Sequence, residues 1–315
     1  MYSNNSNKMS DIFIRHVLML HQEIFFRWVK ENIESFDGDP KEVTIFGMSA
    51  GGASVHYLTM SPLTRDLYKN AISLSGSALC WWANIPNPSK QAVKLGSHFK
   101  CPTEDSIGMV NCLKKVSAID LMKAQGNLFF DWHSGKTERE PMNMFSPRSD
   151  PERTSAAFLP DDPYISMKEG LFNPQPHMIG YTDKEGIWRA NNMLPSDDNN
   201  IKIWKDFVNH YETAASLAYG LIDGHTDEAM TINKKLTEFY KLYDLENLDD
   251  SKVHSFIDVQ SDSMFNYAID ETIKLRSKHK HADTYFYMIT FPGTHTLANF
   301  GNNGSVRRPA FEPLK

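Results

Sequence analysis

The chain has 315 residues, of which 41% are hydrophobic and 23% are charged, a composition typical of a folded globular protein. Its 33 Lys and Arg against 39 Asp and Glu give a net charge of −6 without a basic block, which argues against a nucleic-acid partner. No apolar run reaches the roughly 20 residues that a membrane span requires. The length is sufficient for a large buried core in one α/β domain or in two domains.

The N-terminal segment is polar and lacks the apolar region of a secretory signal peptide. We therefore predict an irregular or disordered segment over 1–16, followed by a single domain over 17–315. The absence of a signal peptide indicates either a cytosolic protein or a chain that lacks its natural start. Two N-glycosylation triplets begin at Asn4 and Asn303, although such triplets often occur by chance.

The elements predicted in the first part of the chain alternate between helices and short buried strands. Apolar residues at helical spacing predict a helix over 17–35, which ends at the Gly and Pro of FDGDP. The β-branched, apolar run VTIFG (43–47) predicts a buried strand, and AGGASVHYLTM begins a helix directly after it. A second buried strand is predicted over 71–76, and a helical segment over 89–126 with a break near Cys101.

The second part of the chain combines loops, helices and two further strands. Four prolines predict a loop-rich stretch over 131–160. HMIGYT (177–182) and the aromatic TYFYMITF (284–291) predict strands. Amphipathic spacing predicts helices over 201–280, with breaks near 223–226 and 247–251, and turn and loop follow residue 291. Strands separated by long helical stretches indicate an α/β fold with a largely parallel sheet covered on both faces.

A G-x-S-x-G motif, Gly47-Met48-Ser49-Ala50-Gly51, joins the first strand to the following helix. A serine at a sharp strand-to-helix turn exposes its hydroxyl above the sheet, and glycines at both flanking positions avoid clashes there. The Ala50 N–H then points to where an oxyanion would form, aided by the helix N-terminus. A small-residue turn without chemistry is the alternative, but the strand before and the helix after favour Ser49 as a nucleophile.

Longer segments around this motif resemble the type-B carboxylesterase and cholinesterase family. The resemblance extends from about residue 20 to about residue 291 and is carried by WVKENIESFDGDPKEVTIFGMSAGGASVHYL, NAISLSGSAL (70–79), AFLPDDPYISMKEGLFNPQPHMIGYTDKEG (157–186) and SDSMFNY (261–267). It implies an α/β-hydrolase fold, with a mostly parallel central sheet flanked by helices. It also implies hydrolysis of carboxylic esters by a Ser–Glu/Asp–His triad.

The resemblance assigns two members of this triad. Ser49 matches the family's nucleophile directly. The family's acid follows a strand in a T-x-x-E-G pattern, which here is TDKEG (182–186). Glu185 is therefore the predicted acid, which would orient the histidine and stabilise the imidazolium. Asp183 is the rival acid, and an ordinary solvated carboxylate is the alternative role for Glu185.

The catalytic histidine has no matching motif among the 12 histidines of the chain. In the family it lies in a G-x-x-H-x-[DE]-[DE] pattern after the last long strand. His295, in PGTHTLAN, lies in the right region but close to the strand end, and it lacks the following acidic residues. A solvated loop histidine is therefore the alternative. His56, His177 and His225 have no motif support and are expected to be structural.

The family's Gly-Gly oxyanion loop, which lies upstream of the elbow in an H-G-G pattern, is also missing. Gly38 and Gly47 are the only glycines before Ser49. We therefore expect a fragment or truncated gene product, without the family's early strands and C-terminal histidine segment. Loss of those strands would leave one edge of the sheet unpaired.

The cysteines add an expectation about covalent structure. The family has a disulfide after the second strand, which implies a Cys101–Cys112 bridge worth about 2–3 kcal/mol and an oxidising compartment. Two reduced, buried thiols are the alternative. Cys80 is expected to be a buried thiol.

Several positions bear on substrate preference. Met48 replaces the Glu that usually precedes the family's nucleophile, which puts rate and substrate preference in question but not the nucleophile itself. Trp81, Trp82, Phe129 and Phe130 are candidate pocket residues, although such aromatic residues more often belong to the core.

The leading hypothesis is a serine carboxylesterase that forms an acyl-enzyme on Ser49 and acts on small carboxylic esters without a metal or organic cofactor. The alternative is a catalytically inactive pseudo-esterase that acts as a binding module. A lipase- or peptidase-type hydrolase fits less well, because the flanking motifs match carboxylesterases. The oligomeric state is left open. The family is largely secreted or lies in the secretory lumen, although this N-terminus shows no signal.

Overall fold

The computed structural model describes residues 17–84, 88–128, 145–150, 157–221 and 226–291. The chain divides into two compact units that are interleaved in sequence. The first unit contains residues 1–130, 141–180 and 268–287, and the second contains residues 131–140, 181–267 and 288–315. The segment predicted to be irregular, 1–16, lies outside the described residues.

The described residues form helices and strands in the predicted order. They are α1 (Val17–Asn32), β1 (Thr44–Met48), α2 (Ala50–Met60), β2 (Asn70–Leu74), α3 (Pro88–His98), α4 (Ser106–Leu113), α5 (Ala118–Leu128), α6 (Pro163–Glu169), β3 (His177–Thr182), α7 (Ile187–Asn191), α8 (Asp198–Asn209), α9 (Tyr211–Ala218), α10 (Asp227–Tyr240), α11 (Asp250–Ser261), α12 (Tyr267–Ser277) and β4 (Thr284–Ile289). Turns of 3-10 helix follow α1 and α2, and a π-helical turn, Asp262–Asn266, joins α11 to α12.

The helical segment predicted over 89–126 has two breaks rather than one. The first break falls at Cys101-Pro102, as predicted, and α4 restarts where the Asp105 side chain accepts hydrogen bonds from the N–H groups of Ile107 and Gly108. The second break precedes α5, where Ser117 Oγ accepts from the Asp120 N–H at 3.1 Å. Both restarts are side-chain N-caps, which satisfy N–H groups that the helix itself leaves without acceptors.

The four strands form one sheet in the order β1-β2-β3-β4. β1 and β2 are parallel, with Thr44 opposite Asn70, and β2 and β3 are parallel, with Ala71 opposite His177. The predicted parallel α/β sheet is therefore confirmed, and β1 lies at one edge of the sheet that the described residues form.

The two faces of this sheet differ in burial. On one face Ile45, Ala71 and His177 lie side by side in register and are buried. On the other face Phe46 lies opposite Ile72, and Phe46 is 73% exposed. Parallel sheets are normally covered on both faces. Among the described residues, only the face that carries Ile45, Ala71 and His177 is covered in this way.

Each unit has its own apolar core. The core of the first unit lies between the sheet, α1, α2 and α6, and includes Ile45, Tyr57, Leu58, Phe158, Leu159 and Met167. In the second unit, Trp204 lies edge-on to Phe256 with ring centroids 5.2 Å apart, and the Trp204 indole donates to Leu245 O. No helix in the described part of the chain is long and apolar enough to cross a membrane.

A disulfide links Cys101 to Cys112, whose Cα atoms are 5.7 Å apart. It joins the segment after α3 to α4, beside a small core cluster that includes Leu95, the fully buried Met109 and Leu113. The bridge closes a short loop, so it restricts the unfolded chain more than the folded one. Cys80 is a buried thiol, as expected.

We predict that the Cys101→Ala/Cys112→Ala variant loses about 2–3 kcal/mol of unfolding free energy, because the loop constraint on the unfolded state is removed. Urea unfolding with and without reductant measures the loss. The wild-type chain should become equally less stable in reductant, whereas the double variant should not respond to it. A reductant effect of the same size in both proteins would contradict the prediction.

Candidate active site

Ser49 occupies a sharp turn between β1 and α2. Its backbone has φ 56° and ψ −118°, a conformation that non-glycine residues rarely adopt. The Ser49 N–H donates to Leu74 O at 2.8 Å, and the Ser49 carbonyl accepts from Ala53 N–H at 3.0 Å. The backbone is therefore fixed on both sides of the serine. Ser49 itself is exposed, as a nucleophile at this turn requires.

The two glycines of the motif have different steric roles, which corrects the expectation that both avoid clashes. A Cβ on Gly47 would lie 2.4 Å from Gly51 O, so only glycine fits at position 47. A Cβ on Gly51 would have no neighbour within 4 Å. Position 47 must therefore be glycine because the Gly51 backbone lies against it, whereas a side chain at position 51 would have free space.

Two further glycines, which the motif does not include, complete the turn. A Cβ on Gly76 would lie 2.1 Å from Ser49 O, and a Cβ on Gly52 would lie 2.8 Å from Leu74 O. The first turn of α2 therefore touches the end of β2 through backbone atoms. The sequence contained one sign of this contact, namely the small residues SGS (75–77) directly after the second strand.

Ala50 is the first residue of α2 and is exposed. The first N–H groups of a helix have no intrahelical acceptor, and the helix dipole makes this end electropositive. The Ala50 N–H therefore remains a predicted oxyanion donor next to Ser49.

Glu185 lies in the turn that follows β3 and is half-buried. Its Oε1 accepts a hydrogen bond from the Thr182 N–H at 2.7 Å, which fixes the carboxylate over its own turn. The turn is fixed to α11, since Gly186 N–H donates to Ser261 Oγ at 2.8 Å and a Cβ on Gly186 would lie 2.4 Å from Ile257 O. The rival acid, Asp183, is exposed.

Ser49 belongs to the first unit and Glu185 to the second. Ser49 follows β1 and Glu185 follows β3, and each is described within its own unit. Their roles remain predictions.

His56 and His177 are fully buried and hydrogen-bonded within the first unit. His56 Nδ1 accepts from the Ala78 N–H at 3.1 Å, which places the ring proton on Nε2, 3.3 Å from Met167 Sδ. His177 Nε2 lies 2.9 Å from Ser73 Oγ. Burial lowers the pKa of His56 to about 3 and holds the pKa of His177 well below its ordinary value, and the Arg276 charge adds to both shifts. His225 and His295 lie outside the described residues.

Of the four aromatic pocket candidates, two lie within the described residues and two lie outside them. Trp82 is only 3% exposed and Trp81 is half-buried, in the segment after β2. Phe129 and Phe130 lie outside the described residues. Met48, at the end of β1, is 56% exposed.

Within the described residues no group of three or more His, Cys, Asp or Glu side chains could hold a metal ion.

A model of the carboxylesterase family matches residues 19–310. The chain belongs to the carboxylesterase family. Its fold is therefore that of an α/β-hydrolase.

Named relatives within this family are esterases and a lipase. The chain is 31% identical to venom carboxylesterase-6 of Apis mellifera over 288 residues, which cover 90% of this chain and 49% of the relative. It is 31% identical to juvenile hormone esterase of Tribolium castaneum, with 88% and 47% covered. It is 29% identical to bile salt-activated lipase of Bos taurus, with 86% and 43% covered. The chain thus spans about half the length of the curated relatives it matches.

We predict that Gly47→Ala destabilises the fold and that Gly51→Ala does not. Gly47→Ala should cost at least about 2 kcal/mol of unfolding free energy, because its methyl group would overlap the Gly51 backbone. Gly51→Ala should be neutral or stabilising by up to about 1 kcal/mol, because the site is open and alanine favours the helix. Urea unfolding of both variants measures the difference, and equal losses would contradict it.

We also predict that acid destabilises the fold through His56 and His177. Below pH ~6.5 the unfolded chain protonates both rings while the folded chain does not, so stability falls as pH falls toward about 3. Each histidine should contribute a slope of about 1.4 kcal/mol per pH unit.

Urea unfolding at several pH values from about 7.5 to about 5, the range in which an unperturbed histidine titrates, measures this slope. His56→Gln and His177→Gln should each flatten it. His254→Gln is the matched control, because His254 is exposed on α11 and its loss should leave the slope unchanged. The same slope in all four proteins would show that the buried rings do not control acid stability.

Proposed function

We propose that this chain carries the nucleophile of a carboxylic ester hydrolase and forms an acyl-enzyme on Ser49. The observation that carries the proposal is the Ser49 backbone, at φ 56° and ψ −118°, in an exposed turn between a parallel strand and a helix. A conformation this costly persists only where the surrounding structure holds it, and such positions cluster at functional sites. Membership of the carboxylesterase family supports the same reaction.

In the proposed reaction, Ser49 Oγ attacks the ester carbonyl carbon and its proton passes to a histidine. The carbonyl oxygen becomes an oxyanion within reach of the Ala50 N–H, where the positive end of α2 stabilises it. Collapse of this intermediate breaks the bond to the alcohol, which takes the proton from the imidazolium. Water then attacks the acyl-Ser49 carbonyl by the same route, releasing the acid and restoring the serine.

The proposed role of Glu185 is to orient that histidine and to stabilise its charged form. The hydrogen bond from the Thr182 N–H to Oε1 supports this role, because a fixed carboxylate can hold an imidazole in one orientation. His56 and His177 are excluded as the proton acceptor because both are buried and bonded within the first unit. His295, outside the described residues, is the candidate within this chain.

The proposed substrate is a small carboxylic ester, and the mechanism needs neither a metal nor an organic cofactor. The proposal stops at this class of substrate, because the relatives include a carboxylesterase, a juvenile hormone esterase and a lipase. The Cys101–Cys112 disulfide supports an oxidising compartment for the protein, since such bridges are reduced in the cytosol.

A fluorophosphonate probe on the full chain tests the proposal. We expect one covalent adduct, located by peptide mass spectrometry at Ser49, and no adduct in Ser49→Ala. Ser54→Ala is the matched control, because Ser54 is a neighbouring serine of α2 whose hydroxyl donates to Ala50 O. Glu185→Gln should slow labelling by at least about 100-fold if it orients the base.

Absence of labelling would support the alternative, an inactive binding module. A folded chain that binds no probe at Ser49 would contradict ester hydrolysis by this chain and favour the inactive binding module. Cooperative urea unfolding of the same sample establishes that the protein is folded.

A further inference from the structure

The first turn of α2 consists of Ala50, Gly51 and Gly52, and two adjacent glycines make it intrinsically weak. Glycine costs a helix about 1 kcal/mol relative to alanine, because its unfolded backbone is so free. The side-chain position of Gly51 has no neighbour within 4 Å, so nothing packs against it there. A turn that must hold the Ala50 N–H in one direction therefore needs support from outside the helix.

Ser73 supplies such a contact from the neighbouring strand. It lies in β2 and is 0% exposed, and its Oγ donates a hydrogen bond to Gly52 O at 2.9 Å. Ser73 precedes Leu74, whose carbonyl accepts the Ser49 N–H at 2.8 Å. Consecutive residues of β2 thus bind the turn at Ser49 and at Gly52.

His177 fixes the Ser73 hydroxyl in turn. It begins β3, is 0% exposed, and its Nε2 lies 2.9 Å from Ser73 Oγ. The single hydroxyl proton of Ser73 is directed at Gly52 O, so His177 Nε2 must be the donor and Ser73 Oγ the acceptor. The result is a one-directional chain of hydrogen bonds from His177 through Ser73 to the first turn of α2.

We propose that Ser73 and His177 are positioning residues, which hold the first turn of α2 so that Ser49 and the Ala50 N–H keep the geometry needed for ester hydrolysis. The proposal rests on the proposed function for its catalytic consequence. The support of the turn itself is a property of the first unit and can be measured without any reaction.

Hydrogen exchange on the full chain tests the support of the turn. In Ser73→Ala, amides in the peptide that contains residues 49–57 should exchange about tenfold faster, as expected for the loss of one hydrogen bond to this turn. Thr64→Val is the matched control. The buried Thr64 hydroxyl donates to Leu58 O, at the other end of the same helix, so its loss should leave residues 49–57 unchanged.

Rescue distinguishes a hydrogen-bond role for His177 from simple filling of space. His177→Gln keeps an amide donor, whereas His177→Leu keeps volume without a donor. Exchange of residues 49–57 should be faster in His177→Leu than in His177→Gln. Equal exchange in these two variants would remove His177 from the proposal.

The rate of fluorophosphonate labelling tests the catalytic consequence. In Ser73→Ala the maximal labelling rate should fall about tenfold or more, with little change in the half-saturating probe concentration, because the reacting geometry is disturbed and the binding surface is not.

Exchange in Ser73→Ala that equals exchange in Thr64→Val would overturn the proposal. So would faster exchange with an unchanged labelling rate. A wild-type chain that is never labelled, together with a faster-exchanging Ser73→Ala, would contradict the proposed function and not the support of the turn.

Discussion

The close approach of α2 to the end of β2 is the constraint on which the proposed site depends. The Ser49 N–H bonds to Leu74 O, and neither Gly52 nor Gly76 could carry a side chain without overlapping backbone atoms. These contacts hold Ser49 in a backbone conformation that costs about 1–3 kcal/mol in isolation. Contacts with the end of β2 therefore sustain the strain at Ser49.

The sheet can sustain this strain because the face toward α2 is buried. Ile45 and Ala71 are nearly inaccessible there and belong to the same apolar core as Tyr57 and Leu58 of α2. Burial of each large apolar side chain contributes about 1.5–3 kcal/mol. A few such residues are enough to offset the cost of the Ser49 conformation.

The buried part of the first unit also contains polar and charged side chains. His56, Ser77 and Thr272 form one hydrogen-bonded group, with 2.7 Å between the two hydroxyl oxygens. The nearby Arg276 is 0% exposed and lies 4.3 Å from the centre of the Phe172 ring. Burial lowers the Arg276 pKa to about 10, yet the guanidinium stays charged at neutral pH. Such groups tolerate few alternative arrangements, so they favour a single packing of this unit over others.

The sequence by itself determined the features that depend on local order. The alternation of short apolar runs and helical spacing specified the four strands, and the motif around Ser49 and the turn around Glu185 each lie within a few residues. Backbone conformation at such turns follows from neighbouring residue types, because glycine alone tolerates the contacts that Gly47 makes. Family resemblance added the disulfide pairing of Cys101 with Cys112.

Only the tertiary structure decided which distant residues support the turn. Ser73 is 21 positions from Gly52, and His177 is 104 positions from Ser73. No local pattern joins residues this far apart, because their contact follows from strand order and register. A shift of one residue in register would turn Ser73 to the opposite face. The sequence therefore located the candidate nucleophile, whereas the pairing of β1, β2 and β3 determined what holds it in place.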